Sequence, residues 1–220
     1  MKTKGKVWIV TGLLLIAAAL FLTAYNFYDG FRAERSARQV MQELMEYFPA
    51  ETAMEKPVLP GETSVSAGER EIPDYVLNPD MEMPETAISG IGYIGVLRIP
   101  SLQLELPVIG EWSYPNLKIA PCRYSGSPYS GSFIIAGHNY RSHFGGLQKL
   151  REGDAVTFTD MDGNVFSYAV AEWEVLPSAA IEEMESGDWP LTLFTCTVSG
   201  QSRLSIRCTL AETEEPANAK

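Results

Sequence analysis

Apolar and polar positions divide the 220-residue chain into three textures. Residues 7–25 (VWIVTGLLLIAAALFLTAY) carry no ionisable side chain except the terminal tyrosine. Nineteen helical residues at about 1.5 Å each cover about 28 Å, close to the thickness of bilayer hydrocarbon. In residues 29–48, Phe31, Val40, Met41, Leu44 and Phe48 recur at helical spacing, which predicts an amphipathic helix just outside that span. Between 49 and 88 the periodicity is lost. Pro57, Pro60, Pro73, Pro79 and Pro84 stand among glutamates there, a composition that predicts an extended linker.

From residue 90 the texture changes to short apolar runs separated by Gly, Pro, Ser and Asp. Runs at 93–99, 102–109, 132–136, 155–159, 165–175, 191–195 and 204–211 read as strands, several alternating in polarity. Residues 143–150 read as a short helix and 179–185 as a helical turn. The fold class is all-β: a single closed or nearly closed β-barrel of about 120 residues behind a membrane helix and a stalk. No internal repeat is present.

Charge sharpens this division. Lys2, Lys4 and Lys6 precede the apolar run without an acid among them. Residues 7–88 carry 5 basic and 13 acidic side chains, and residues 89–220 carry 9 and 15. Basic residues before the span and acidic ones after it predict a cytoplasmic N-terminus with the rest of the chain outside. Trp8 and Tyr25 near its ends suit the two interfaces. The A-x-A pattern of Ala17 and Ala19 lies inside the run rather than after it, which favours an uncleaved anchor over a cleavable signal. A net charge of −11 excludes a nucleic-acid partner, since phosphate neutralisation needs clustered Lys and Arg. Three cysteines are too few to staple the fold, and two histidines too few for a histidine-rich zinc site.

Cys196 follows a run that reads as a buried strand (LTLFT), and His138 follows another (FIIAG). A strand end is rigid on one side and open on the other, which suits a nucleophile and its base. A thiol attacks as thiolate and needs a base or cation nearby. Arg203 begins the next strand, and a turn between adjacent antiparallel strands would return it to Cys196. Its five-donor guanidinium could bind a carbonyl and the oxyanion that forms from it. Inert core cysteine and structural histidine remain the competing readings of these residue types.

TLFTC at 192–196 with the arginine of RLSIRC, AGHNY at 136–140 followed by HFGGLQKLREGD, and GVLRIPSLQLELPV at 95–108 together resemble the sortase family. The resemblance runs from about 91 to 211, with His, Cys and Arg in the family's order. It implies an eight-stranded barrel and a cysteine transpeptidase of a Gram-positive-type cell surface. By this resemblance Cys196 attacks the scissile carbonyl of an LPxTG-like sorting signal, and His138 is the acid/base. Arg203 binds substrate and oxyanion, while Thr195 and Asn139 contact substrate. The implied partners are surface proteins or pilins bearing a sorting signal and an amine acceptor from peptidoglycan or a pilin. No cofactor or metal is implied; Glu182, Glu183 and Glu185 read as a solvated face rather than a calcium site. The short segments at 175–191 and 196–203 fit a class D-like or unassigned member.

The expected boundaries are a cytoplasmic 1–6, an anchor at 7–25, a stalk at 26–88, the catalytic barrel at 89–212 and a polar tail at 213–220. Several rivals stay open. Arg207 has the same strand parity as Arg203. His143 is a second candidate base, though it is expected to face solvent. Cys122 and Cys208 either pair or remain separate thiols. The non-enzymatic alternative is an anchored barrel used for adhesion or scaffolding.

Overall fold

The computed structural model describes residues 2–48, 72–197 and 200–211. Nine strands form one sheet: β1 (Thr86–Ile88), β2 (Ile91–Ile99), β3 (Leu104–Ile109), β4 (Cys122–Ser127), β5 (Ser132–Ala136), β6 (Ala155–Asp160), β7 (Val165–Pro177), β8 (Leu191–Cys196) and β9 (Ser202–Leu210). Their order is β1-β2-β3-β4-β5-β8-β9-β7-β6, and β6 returns to pair with β2. Rungs from Gly95–Asp160 to Arg98–Thr157 make that closure, so eight strands form a closed barrel and β1 extends one edge of β2. The β3–β4 and β5–β8 pairs are parallel and the others antiparallel. Among the described residues the α-helices that accompany the strands are α1 (Lys2–Met45), α2 (Asp74–Leu77), α3 (Tyr114–Leu117) and α4 (Ile181–Glu185).

Inward-facing residues of the expected strands fill the barrel, among them Leu97, Val108, Phe133, Ile135, Phe158, Leu193 and Ile206. The membrane candidate and the amphipathic segment are one continuous helix, α1, rather than two. Its large apolar side chains between Val7 and Leu22 are exposed, and it is long and apolar enough to cross a membrane. Its far end docks on the barrel. Ala33 and Ala37 allow close approach, and Leu44 and Phe48 pack with Ile88, Tyr93, Ile109, Ala120 and Cys122. Burying a leucine such as Leu44 contributes roughly 1.5–3 kcal/mol, so this contact belongs to the folded domain.

The expected linker needs correction over 72–88; its earlier part, 49–71, lies outside the described residues. Tyr75 of α2 stacks on Tyr129 with centroids 4.8 Å apart, Met83 is buried, and Thr86–Ile88 form a strand. Single apolar anchors spaced by prolines hold this segment, and a composition window averages them away. β4 was not expected, because CRYSGS offers little but small and polar residues. The helix expected at 143–150 is a run of turns ending in a 3-10 segment at Leu147–Lys149. Gly145 and Gly146 lie in that run, and glycine disfavours helix.

Cys122 and Cys208 are buried free thiols in different apolar clusters and form no disulfide. Burial pushes both thiols up to about 12.

Candidate active site

Three adjacent strands end close to one another. β8 has five buried residues followed by the exposed Cys196, so the chain delivers this thiol to solvent as it leaves the sheet. On its antiparallel side Cys196 stands opposite Arg203 of β9. Its parallel neighbour is β5, where Ala136 pairs with Phe194 and the Gly137 N–H donates to the Phe194 carbonyl at 2.9 Å. His138 and Cys196 each lie two residues beyond that rung, Cys196 as the last residue of β8 and His138 just past the end of β5. A tight turn links β8 to β9, with the Thr197 N–H donating to the Ser202 carbonyl at 2.8 Å.

Arg203 is half-buried. Its guanidinium lies over the Phe194 ring at 5.4 Å from the centroid, and Nη1 is 4.0 Å from the Met184 sulfur. Its Nε is buried without a hydrogen-bond partner, and no carboxylate pairs with it among the described residues. The aromatic face and thioether therefore hold the cation while leaving donors uncommitted.

Arg207 is fully committed. Nε and Nη2 donate to Glu174 Oε1 at 2.9 and 2.6 Å. Nη1 donates to the Met184 carbonyl at 2.7 Å and to Thr192 Oγ1 at 3.1 Å, and Nη2 to the Glu183 carbonyl at 2.7 Å. It satisfies carbonyls at the end of α4 and ties that helix to the sheet. Of the two arginines on this face, only Arg203 retains donors for a ligand.

His138 is half-buried and stacks flat on Tyr140, with centroids 3.9 Å apart and planes 5° from parallel. His143 does not face solvent as expected; it is buried. Burial, followed by the proximity of His138, lowers its pKa to about 4, against a smaller opposing influence of the Ile119 backbone. It is neutral at physiological pH. A turn rather than a helix face places it, so periodicity gave no sign of its burial.

Thr195 is buried and its Oγ1 has no partner, while Asn139 is half-buried on the turn after His138. Phe194 beneath Arg203 and Tyr140 against His138 were not anticipated. Their only sequence signal is an aromatic within two residues of a candidate group.

Among the described residues no group of three or more His, Cys, Asp or Glu is placed to hold a metal ion, and Glu182, Glu183 and Glu185 are exposed. A cavity of about 490 Å³ between α1 and α3, lined by Arg32, Ser36, Tyr114, Pro115, Lys118 and Ile119, contains none of these candidates.

Compared with known families, residues 97–211 match the sortase domain, more than half of the chain. The chain belongs to the sortase family. Sortases are cysteine transpeptidases, and this sortase has the family's closed barrel. It is 26% identical over 208 residues to sortase A of Bacillus anthracis, which spans 88% of each chain. Its fold matches sortase C from Clostridium perfringens at 23% identity and a TM-score of 0.50, covering 66% of this sortase and 78% of that chain. Sortase C1 of Streptococcus agalactiae superposes with a TM-score of 0.51 at 21% identity, over 56% and 70% of the two chains.

Proposed function

We propose that this sortase is anchored by residues 7–25 with its N-terminus cytoplasmic and its barrel outside the cell. There it cleaves an LPxTG-like sorting signal and joins the acyl fragment to an amine of the cell wall or of a pilin. The Cys196 thiolate attacks the scissile carbonyl, and Arg203 donors stabilise the oxyanion that forms. The C–N bond then breaks, His138 gives a proton to the leaving amine, and a thioester to Cys196 remains. The incoming amine attacks that thioester, loses its proton to His138, and expels the Cys196 thiolate, which restores the starting state. Thr195 and Asn139 border the substrate.

The observation that carries this reading is the register of β5, β8 and β9. Cys196 is paired with Arg203, whose Nε is unpaired, and His138 follows β5 two residues beyond the rung that joins Ala136 to Phe194, an arrangement that supports this reading. The supporting contrast is that the other two thiols are buried and held protonated.

The test uses the full chain in detergent micelles with a sorting-signal peptide bearing a thiol-reactive warhead in place of the scissile bond. Mass spectrometry should find one adduct, on Cys196, and none in Cys196→Ala. An absent adduct, or equal labelling of the variant, would sink the transpeptidase assignment of these residues and favour an inactive anchored scaffold. Protease accessibility of the barrel in intact cells tests its sidedness separately.

A further inference from the structure

Behind His138 the chain folds back over the second histidine, which the chemistry above does not use. Neither ring nitrogen of the buried His143 has a hydrogen-bond partner of good geometry among the described residues, although the Ile119 backbone lies close enough to act on the ring. An imidazole so weakly held gives the fold little that an apolar side chain would not, because desolvating a polar ring costs free energy. What it does meet is Tyr140, with centroids 5.5 Å apart and planes tilted by 54°, an arrangement aromatic rings favour. Tyr140 in turn lies flat on His138.

The backbone fixes the three rings in this order. The Tyr140 carbonyl accepts from the N–H groups of His143 at 3.0 Å and Gly145 at 2.9 Å, and the His138 carbonyl accepts from Phe144 N–H at 3.1 Å. Two glycines make the fold-back possible. A Cβ at Gly145 would strike the Tyr140 carbonyl, and one at Gly137 would fall on the Phe144 ring. The loop is therefore tied at both ends and closely packed between them.

We infer that His143 and Tyr140 are positioning residues for His138: the His143 ring holds the Tyr140 ring, and the Tyr140 face sets the plane of the His138 imidazole. The consequence for turnover rests on the proposed acid/base role of His138; the ring geometry does not. Acid/base catalysis requires the imidazole within hydrogen-bond reach of the proton it moves, and displacement by about 1 Å can cost on the order of a hundredfold. A ring packed on one face loses much of its freedom to swing about χ1, at no cost in hydrogen bonds. Because His143 is neutral at physiological pH, it supports this arrangement without placing a second cation beside a protonated His138.

The chain has two histidines, so ring-labelled histidine gives two assignable imidazoles in the full chain in micelles. The Tyr140 ring current should shift the His138 ring protons upfield in the wild type. His143→Leu should move those resonances toward free-histidine values and lower kcat about tenfold, with KM within about twofold. Since the imidazole has no well-formed hydrogen bond and the Ile119 backbone acts on it only weakly, Tm should stay level or rise, which a merely structural role would not give. His143→Phe keeps an aromatic edge against Tyr140 and should recover turnover to within about threefold. Unchanged His138 resonances or unchanged turnover in His143→Leu would overturn the inference, as would a kcat loss that only tracks the folded fraction. Should that variant fail to fold, Tyr140→Leu at its half-buried position removes the stack from the other side, and unaltered shifts or turnover there are equally decisive. Full activity in His138→Ala would remove the acid/base assignment alone, leaving the ring shifts to judge the stack.

Discussion

Thr192 faces Arg207 across β8 and β9, and four residues along the same strands Cys196 faces Arg203. The two rungs use the same backbone pairing and a guanidinium of the same parity, yet they are built oppositely. At the inner rung every Arg207 nitrogen is answered, by Glu174, by Thr192 and by two carbonyls of α4. At the outer rung Arg203 rests on Phe194 and Met184 with its Nε unpaired, opposite an exposed thiol, and the next rung, Thr195 with Leu204, carries an unpaired hydroxyl. Buried polar groups in folded proteins are almost always satisfied, so a cluster of exceptions needs a reason. A substrate carbonyl and its oxyanion supply one. The inner rung holds the sheet and α4 together, and the outer rung leaves Arg203 donors uncommitted, as the proposed function requires.

Removing the nucleophile should separate the rungs most sharply. Cys196→Ala should lower transpeptidation by about 10,000-fold or more, while Cys122→Ala and Cys208→Ala retain it. Iodoacetamide at neutral pH should label Cys196 alone until the chain is unfolded, because the other two thiols are buried and protonated. The arginines should then divide stability from turnover. Arg203→Ala is expected to cost about a hundredfold to a thousandfold in kcat with little change in Tm. Arg207→Ala should cost about 1–3 kcal/mol in urea denaturation, because Thr192 and the α4 carbonyls lose their partner while the part-exposed Glu174 can turn to water, yet leave turnover per folded molecule nearly intact. If the two variants exchange these outcomes, the assignment of the rungs is reversed.

The same contrast shows what could be read along the chain. β2, β5, β6 and β8 are apolar runs, and the candidates Cys196 and His138 were read from the ends of two of them. β4 escaped because CRYSGS has only two apolar anchors, the buried Cys122 and Tyr124 against Phe194, among small and polar residues. β1 and the segment before it escaped because Tyr75, Met83 and Ile88 are isolated among prolines and acids. The choice between Arg203 and Arg207 was illegible for a different reason. Strand parity treats them alike, and the groups that commit Arg207 come from β7, α4 and β8, 15 to 33 residues away. Burial of His143 was hidden too, since a turn and its glycines place it rather than a repeating apolar face.

That buried histidine gives the site's surroundings a pH signature that neither rung has. Its folded-state pKa is about 4 against an ordinary value of 6.5. Between those values the unfolded chain binds a proton that the folded chain refuses. Stability therefore rises with pH through this window and is lost as pH falls through it. From pH 7 to pH 5 the loss from this residue should be about 2 kcal/mol, read as a lower urea midpoint at constant slope. His143→Leu should flatten that part of the profile, whereas Arg203→Ala should leave it in place. A wild-type midpoint that is flat from pH 7 to 5 would contradict a buried neutral imidazole.

The smallest effect concerns Thr195, whose hydroxyl is buried and unpaired one residue before Cys196. Thr195→Val keeps the shape and deletes the hydroxyl. If the group serves only the strand, removing an unsatisfied buried oxygen should stabilise the fold by about 1 kcal/mol and change nothing else. If it also meets the substrate, the same variant should lose about five- to tenfold in kcat/KM, the worth of one neutral hydrogen bond. The two effects are read on separate instruments, a thermal melt and a steady-state assay with saturating amine. We expect both a higher Tm and a lower kcat/KM, because the Thr195 hydroxyl stays unpaired in the free protein at the fold's expense. A gain in Tm with kcat/KM unchanged would move Thr195 from the substrate's side of the comparison to that of Thr192.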